Sequence, residues 1–446
     1  MNVINRTMLS ALCLILTFSV SPQARAGNST ELKNEATRCE EFMDWGVGMF
    51  IHWSLDSELG SVISHSMVGA SDDYLDRYIN ELPKYFNPKD YDAEEWVKLA
   101  KLAGFNYMVL TTKHHSGFCL WPTKATDFSV ANTPYKKDIV KQFVDACRKY
   151  DMKVGFYFSP EDFLFLHKQG HEIRRKSKHA NISSNPALLA YNKVQIKELF
   201  SNYGPIDVAF LDAFDNQAIR QYIHELQPKC LVTRGEMETP EQNVPNRPLL
   251  GPWEACFTLG SQWQYKPTNE KYKSGTQLIE MLIDIRAKGG NLLINMGPEP
   301  SGKIPLEQER VFRELALWMF INGESIHNVR PCSVIKEGEL WLTRSSKNKS
   351  TVYVFIPQNR GDWKRGVRRE YTLNSLVATD NIHISVLGQN SRVLEYNPQG
   401  KPESKVKQTP KGLQISVVRA QRIYNNSNWP NPVVVKLEGV EFATKQ

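Results

Sequence analysis

The sequence predicts an α/β chain: a (β/α)8-like, TIM-type barrel followed by a C-terminal antiparallel β-sandwich. Three observations carry that prediction. From Trp45 onward, short β-branched or aromatic runs alternate with longer amphipathic segments, the grammar of repeated βα units. After Asn328-Val329-Arg330-Pro331 the helical period stops, and short strands separated by Gly, Pro and Asn turns take over. No Gly-x-Gly-x-x-Gly follows the first strand, so an open dinucleotide-binding sheet loses its main support.

The elements follow in chain order. Residues 1–26 place Arg6 ahead of an apolar run, Met8 to Val20, and end on Ala24-Arg25-Ala26, a small-x-small pattern. This predicts an export signal cleaved near Ala26, and hence a secreted or periplasmic chain. The run is too short to cross a hydrocarbon core of about 30 Å. Strands are predicted at Gly46 to Trp53, Tyr107 to Thr112, Lys153 to Ser159, Asp207 to Asp212, Cys230 to Thr233, Trp253 to Phe257 and Asn291 to Asn295. Helices are predicted from an Asp92 cap to Gly104 and over Lys137 to Tyr150, Pro186 to Tyr203, Asn216 to Leu226, Gly275 to Ala287 and Pro305 to Asn322. Seven clear strands with an unclear eighth fit an irregular barrel over residues 27–330. The sandwich, residues 331–446, is expected to hold strands at Leu340 to Arg344, Thr351 to Ile356, His383 to Leu387, Ser391 to Tyr396, Gly412 to Val418 and Pro432 to Leu437.

Composition excludes several classes. With 41% hydrophobic and 23% charged residues the chain is globular, not disordered. A net charge of +7 is mild at this length and gathers in no helix or tail, so nucleic acid is not implied. The densest basic stretch, Arg174-Arg175-Lys176-Ser177-Lys178-His179, reads as a solvated loop, with sulfated or acidic glycans as its functional alternative. Cys39, Cys119, Cys147, Cys230, Cys256 and Cys332 show no zinc spacing; one or two disulfides are allowed but not paired by the sequence.

In a βα barrel the reactive groups lie at the C-terminal ends of the strands, because the loops there converge over one mouth. Reading each strand to its end gives His52, His114-His115, Tyr157, Asp212 and Arg234. Asp212 ends the buried run Val208-Ala209-Phe210-Leu211, where an unpaired carboxylate is costly to desolvate. A second carboxyl group is available downstream from Glu236, Glu238, Glu241 or Glu254, and spacing does not choose between Glu241 in a Pro-bearing loop and Glu254 in a strand. The paired histidines have no third ligand at metal spacing, so neither a metal nor a cofactor is expected.

With these residues in hand, the chain resembles the α-L-fucosidases of glycoside hydrolase family 29 from about Arg38 to Thr343. The likeness is carried by Gly48-Met49-Phe50-Ile51-His52-Trp53, Lys113-His114-His115-Ser116-Gly117-Phe118, Gly155-Phe156-Tyr157-Phe158-Ser159, Tyr203-Gly204-Pro205-Ile206-Asp207, Thr239-Pro240-Glu241-Gln242, Lys288-Gly289-Gly290-Asn291-Leu292-Leu293 and Asn322-Gly323-Glu324. The resemblance implies retaining removal of terminal α-L-fucose from an oligosaccharide or polysaccharide through a covalent fucosyl-enzyme, without nucleic acid or membrane partners. Asp212 maps to the nucleophile, and His52, His114, His115, Tyr157 and Arg234 map to sugar contacts. Trp121 or Trp263 is expected to pack on the C5 methyl face. Matching the Thr-Pro-Glu loop makes Glu241 the acid/base, the preferred assignment; matching the Trp-Glu strand makes it Glu254. The chain departs from the family pattern at Phe210, at Ser261-Gln262-Trp263-Gln264-Tyr265 and over Val62 to Met67. Alternatives are a relative acting on sulfated fucose or α-galactosyl groups, and a fucose-binding protein without turnover.

Overall fold

The computed structural model describes residues 32–358, 362–424 and 429–443; the predicted export signal lies outside them. Seven strands form one parallel sheet: β1 (Val47–Ile51), β2 (Tyr107–Lys113), β3 (Lys153–Phe158), β4 (Val208–Leu211), β5 (Leu231–Val232), β6 (Glu254–Phe257) and β7 (Asn291–Met296). Their order is β5-β4-β3-β2-β1-β7-β6, which curls the sheet into a TIM-like barrel. Every strand lies within its predicted range to within a residue. The reason is that each is an apolar run buried along almost its whole length.

The eighth place is filled by bridges and not by a strand. Residues 237–242 lie beside β6 through parallel bridges from Glu238 to Trp253 and from Glu241 to Cys256. Pro240 has no N–H to offer a ladder, and Gln242 takes a left-handed φ of 53°, so pairing cannot propagate. This irregularity sets Glu241 level with the C-terminal part of β6.

Nine α-helices are found among the described residues: α1 (Ala36–Trp45), α2 (Asp72–Asp76), α3 (Ala93–Leu102), α4 (Ile139–Lys149), α5 (Phe163–Lys168), α6 (Pro186–Asn202), α7 (Gln217–Leu226), α8 (Gly275–Ala287) and α9 (Leu306–Asn322). The predicted cap Asp92 accepts from the Glu94 and Glu95 amides, and Ser274 with Gln277 makes a reciprocal capping box on α8. The unpredicted α1 brings Phe42 and Trp45 against Tyr107 at the N-terminal end of the barrel. Gly48 is required there: a Cβ would stand 2.3 Å from the Tyr107 ring. Phe50, Tyr157 and Phe210 fill the layer below the mouth. No described helix is long and apolar enough to cross a membrane.

The C-terminal part pairs β8 (Val329–Glu337), β9 (Leu340–Ser345), β10 (Thr351–Ile356), β12 (Leu376–Val386) and β15 (Val433–Phe442) into a sheet of order β12-β15-β10-β9-β8. β11 (Arg368–Leu373), β13 (Lys405–Thr409) and β14 (Gly412–Val418) form a second sheet of order β11-β14-β13. The expected strand at Ser391 to Tyr396 is absent, because Ser391 and Tyr396 both take left-handed φ, 56° and 64°, and break extension at each end. All six cysteines after the predicted signal are unbridged.

Candidate active site

The ends of β3, β4 and β5 converge on Asp212. Its Oδ2 accepts from the Tyr157 hydroxyl at 2.8 Å and lies 3.3 Å from His115 Nε2. Its Oδ1 accepts from Arg234 Nη1 at 3.2 Å and from Arg175 Nη2 at 3.3 Å. Burial works against the charge, but His115, Arg234 and Arg175 outweigh it and hold the carboxyl well below the usual carboxylate range. Asp212 is therefore ionised at neutral pH. The same Arg234 gives Nη2 to Glu241 Oε2 at 2.9 Å, so one guanidinium spans both carboxylates. Glu241 is 43% exposed at the rim.

The histidines form the opposite wall. His52 Nδ1 stands 2.6 Å from Asn295 Oδ1, while the Asn295 amide nitrogen donates to the Trp263 carbonyl. This pairing puts the His52 proton on Nδ1 and leaves Nε2 as an acceptor. Burial pushes His52 down to about 3 and holds His114 well below its ordinary value, so both rings are neutral. His114 stacks on Tyr157 with centroids 5.2 Å apart and planes 3° from parallel. Its Nδ1 meets Ser64 Oγ at 2.8 Å. Ser64, at φ 59°, is anchored by its amide on Asp56 Oδ2. Below the histidines, Lys113 is fully buried between Asp162 Oδ2 and Asn192 Oδ1, both at 3.1 Å. Gly117 (φ 90°) lets the His114-His115 turn close on Asp162, whose Oδ1 a Cβ would meet at 2.5 Å.

The cavity is lined by His52, His65, His114, Tyr157, Arg175, Asp212, Arg234, Glu241 and Trp263, with Phe50, Val62, Ile63, Phe210 and Cys256 as its apolar surface. His115 lies directly behind it on Asp212. Two predicted residues are elsewhere. Glu254 is the first residue of β6, so it faces the floor, where Tyr107 donates to it at 2.8 Å and burial pushes its carboxyl up. Trp121 is buried in the outer core and donates its indole N–H to Glu198 at 2.9 Å, because the chain after β2 folds back to pair Cys119 with Lys113.

Three residues were not anticipated: Arg175, Glu161 and His65, which lines the cavity. Arg175, from the stretch read as solvated, enters the cavity, and its Nε is held at 2.5 Å by Glu161 Oε2. Glu161 is 1% exposed. Ligand atoms of His114, His115 and Asp212 lie within 4.8 Å of one another, the proximity a metal ion needs, and Asp212 supplies the third group that sequence spacing did not show. Arg175 and Arg234 already occupy Asp212 Oδ1, and their charges would repel a cation there.

Comparison with known proteins gives a consistent result. The family profile described as Alpha-L-fucosidase matches residues 15–324. Plasma alpha-L-fucosidase of Homo sapiens is 26% identical over 353 residues, covering 69% of this chain and 74% of that protein. The solved alpha-L-fucosidase isoenzyme 1 from Paenibacillus thiaminolyticus superposes with a TM-score of 0.71 at 26% identity, covering 91% of this chain and 99% of that one. A Bacteroides thetaiotaomicron GH29 alpha-L-fucosidase, solved as a trapped covalent intermediate, shares the fold with a TM-score of 0.71 at 24% identity, covering 93% and 98%. A profile match over most of the barrel, on a chain whose strand ends build a carboxylate, imidazole and guanidinium cavity, places this protein in the α-L-fucosidase family, glycoside hydrolase family 29.

Proposed function

We propose that this α-L-fucosidase family enzyme hydrolyses terminal α-L-fucosyl groups with retention, Asp212 acting as nucleophile and Glu241 as acid/base. The observation that carries the assignment is the single guanidinium, Arg234, bound to both carboxylates in one cavity. Retention by this route needs an ionised carboxylate below the sugar and a second carboxyl group beside the leaving oxygen. Asp212 Oδ attacks the anomeric carbon while Glu241 gives its proton to the departing oxygen, forming a fucosyl ester and releasing the aglycone. Glu241 then takes a proton from water, whose oxygen attacks the same carbon and frees Asp212.

The neutral His52 offers Nε2 as an acceptor for a sugar hydroxyl, and Tyr157 and His115 keep Asp212 oriented. Trp263, 4.8 Å from the His52 ring, is the aromatic wall available to the C5 methyl face. Asp212→Asn or Asp212→Gly is expected to lower kcat/KM on an aryl α-L-fucoside by about a thousandfold or more. Mass spectrometry after treatment with 2-fluorofucosyl fluoride is expected to find the adduct on Asp212. Near-normal hydrolysis by either variant would overturn the assignment.

A further inference from the structure

The basic segment after α5 is a built feature and not a drifting loop. Between residues 172 and 178 it carries Arg174, Arg175, Lys176 and Lys178 against the single acid Glu172. Three contacts pin it to the residues that follow β4. Arg175 reaches Asp212 at 3.3 Å, the Lys176 ammonium sits 4.0 Å over the Phe214 ring, and the Ser183 amide donates to Asp215 at 2.7 Å. Inside the loop, Asn185 donates to the His179 carbonyl at 2.8 Å and the Ala180 amide to Ser177 Oγ at 3.2 Å. The Phe214 ring, two positions past the nucleophile, is nevertheless 69% exposed.

The interior of the cavity does not suit an anion. His52 and His114 are neutral, burial and the neighbouring His115 and Arg175 push His65 down to about 4, and each cavity arginine already touches two carboxylates. The rim is different. Arg174, Lys176 and Lys178 are exposed on the segment that crosses Phe214, with Lys176 over the ring itself. Glu172 stands 3.8 Å from Arg174, and Asp215 is engaged by the Ser183 amide. Lys176 and Arg175 lie over the Phe214 ring, and its remaining exposed surface is open to the C–H surface of a sugar ring, with the segment's cations beside it for a negative substituent.

We propose that Phe214, Arg174, Lys176 and Lys178 form a subsite for the sugar adjoining the terminal fucosyl group, selecting one that carries a sulfate ester or a carboxylate. This rests on the fucosidase reading above. Arg175 ties the subsite to the reaction, because the same short segment that presents the three rim cations also holds Asp212.

The test uses the full chain and three fucosylated disaccharides that differ only at the reducing-end sugar: neutral, sulfated, or a uronic acid. At about 0.1 M salt the charged substrates are expected to exceed the neutral one in kcat/KM by about tenfold. The advantage should collapse at about 1 M salt, where the screening length falls from about 10 Å to about 3 Å. In the triple variant R174Q/K176Q/K178Q the charged-to-neutral ratio should fall to about one. A preference for only one of the two anions identifies which chemistry the rim reads. Equal kcat/KM for charged and neutral substrates in the wild type, or a preference that survives high salt or the triple variant, overturns the proposal. The salt series on the unmodified chain decides the matter where the variant does not fold. A neutral aryl α-L-fucoside is run alongside: its failure to react strikes the fucosidase reading. Calorimetric binding of the charged against the neutral disaccharide then judges the rim by itself.

Discussion

Glu241 and Glu254 sit in neighbouring stretches of chain at opposite ends of the barrel, so the pair separates chemistry from support. Glu241→Gln keeps the bond to Arg234 but has no proton to give. Its kcat on a disaccharide should fall by about 10²- to 10⁴-fold, with a smaller loss on an aryl fucoside whose leaving group needs no protonation. Glu254→Gln still accepts from Tyr107, so its kcat should stay within about twofold while its melting temperature moves by a few degrees. Steady-state kinetics and a thermal melt of both variants check this, and a large loss of kcat in Glu254→Gln would reverse the assignment. His52, Tyr157, Asp212 and Arg234 were legible in the sequence because each is a polar residue at or just past the end of an apolar strand. Glu254, the alternative acid/base, begins its strand and faces the floor, and the alternation of elements does not by itself tell floor from mouth. Glu161 has the mark of Asp212, an acid just past a buried strand, and could have been found by the same rule. Arg175 has none: a loop has no period, and nothing in the sequence encodes its approach to Asp212.

The loop from Gly170 to Asn185 acts at the level of elements, because it runs from α5 to α6 and sets Arg175 against Asp212 at the end of β4. Arg175 is one of the groups that hold Asp212 ionised against the cost of burial. Arg175→Met removes that support, so the Asp212 carboxyl moves up. The proposed mechanism requires Asp212 to be ionised, so the acid limb of the kcat/KM profile should shift to higher pH. At the pH optimum kcat/KM should fall by roughly tenfold, the size of one hydrogen bond to a charged group. Arg175→Lys should recover part of both effects. A pH–rate profile of the three proteins measures this, and an unmoved acid limb would assign Arg175 to loop structure alone. The regular elements beside this loop were readable from hydrophobic period and caps, as with Asp92 and Ser274. The strands β8, β11 and β13 were not, because runs such as Arg368-Arg369-Glu370 and Lys405-Val406-Lys407 pair at partly exposed positions without a hydrophobic signature. The eighth barrel place was unreadable for a related reason: its residues make isolated bridges, set by Pro240 and the left-handed Gln242, which no strand propensity describes.

At the scale of the whole molecule, the C-terminal sheets give no side chain to the cavity, yet they cover the outer helices of the barrel. Trp318 of α9 is fully buried, donates its indole N–H to the Pro432 carbonyl at 2.8 Å and stacks near Phe355. Arg286 of α8 is fully buried and spends its guanidinium on the carbonyls of Met43, Gly290, Ile326 and Val329. Arg330 reaches back to Asp44 at 2.5 Å and to Glu40 at 2.8 Å. Removing residues 329–446 would therefore expose Trp318 and take from Arg286 an acceptor it has in the fold, so the barrel alone is expected to aggregate. In the intact chain, Trp318→Ala should cost about 3–5 kcal/mol in a urea melt, the price of a large aromatic cavity. The surviving folded fraction should turn over an aryl fucoside at the wild-type kcat, because the change lies far from the strand ends that line the cavity. A soluble, active chain ending at Asn328 would show that the barrel carries its own stability and that the sandwich serves another end.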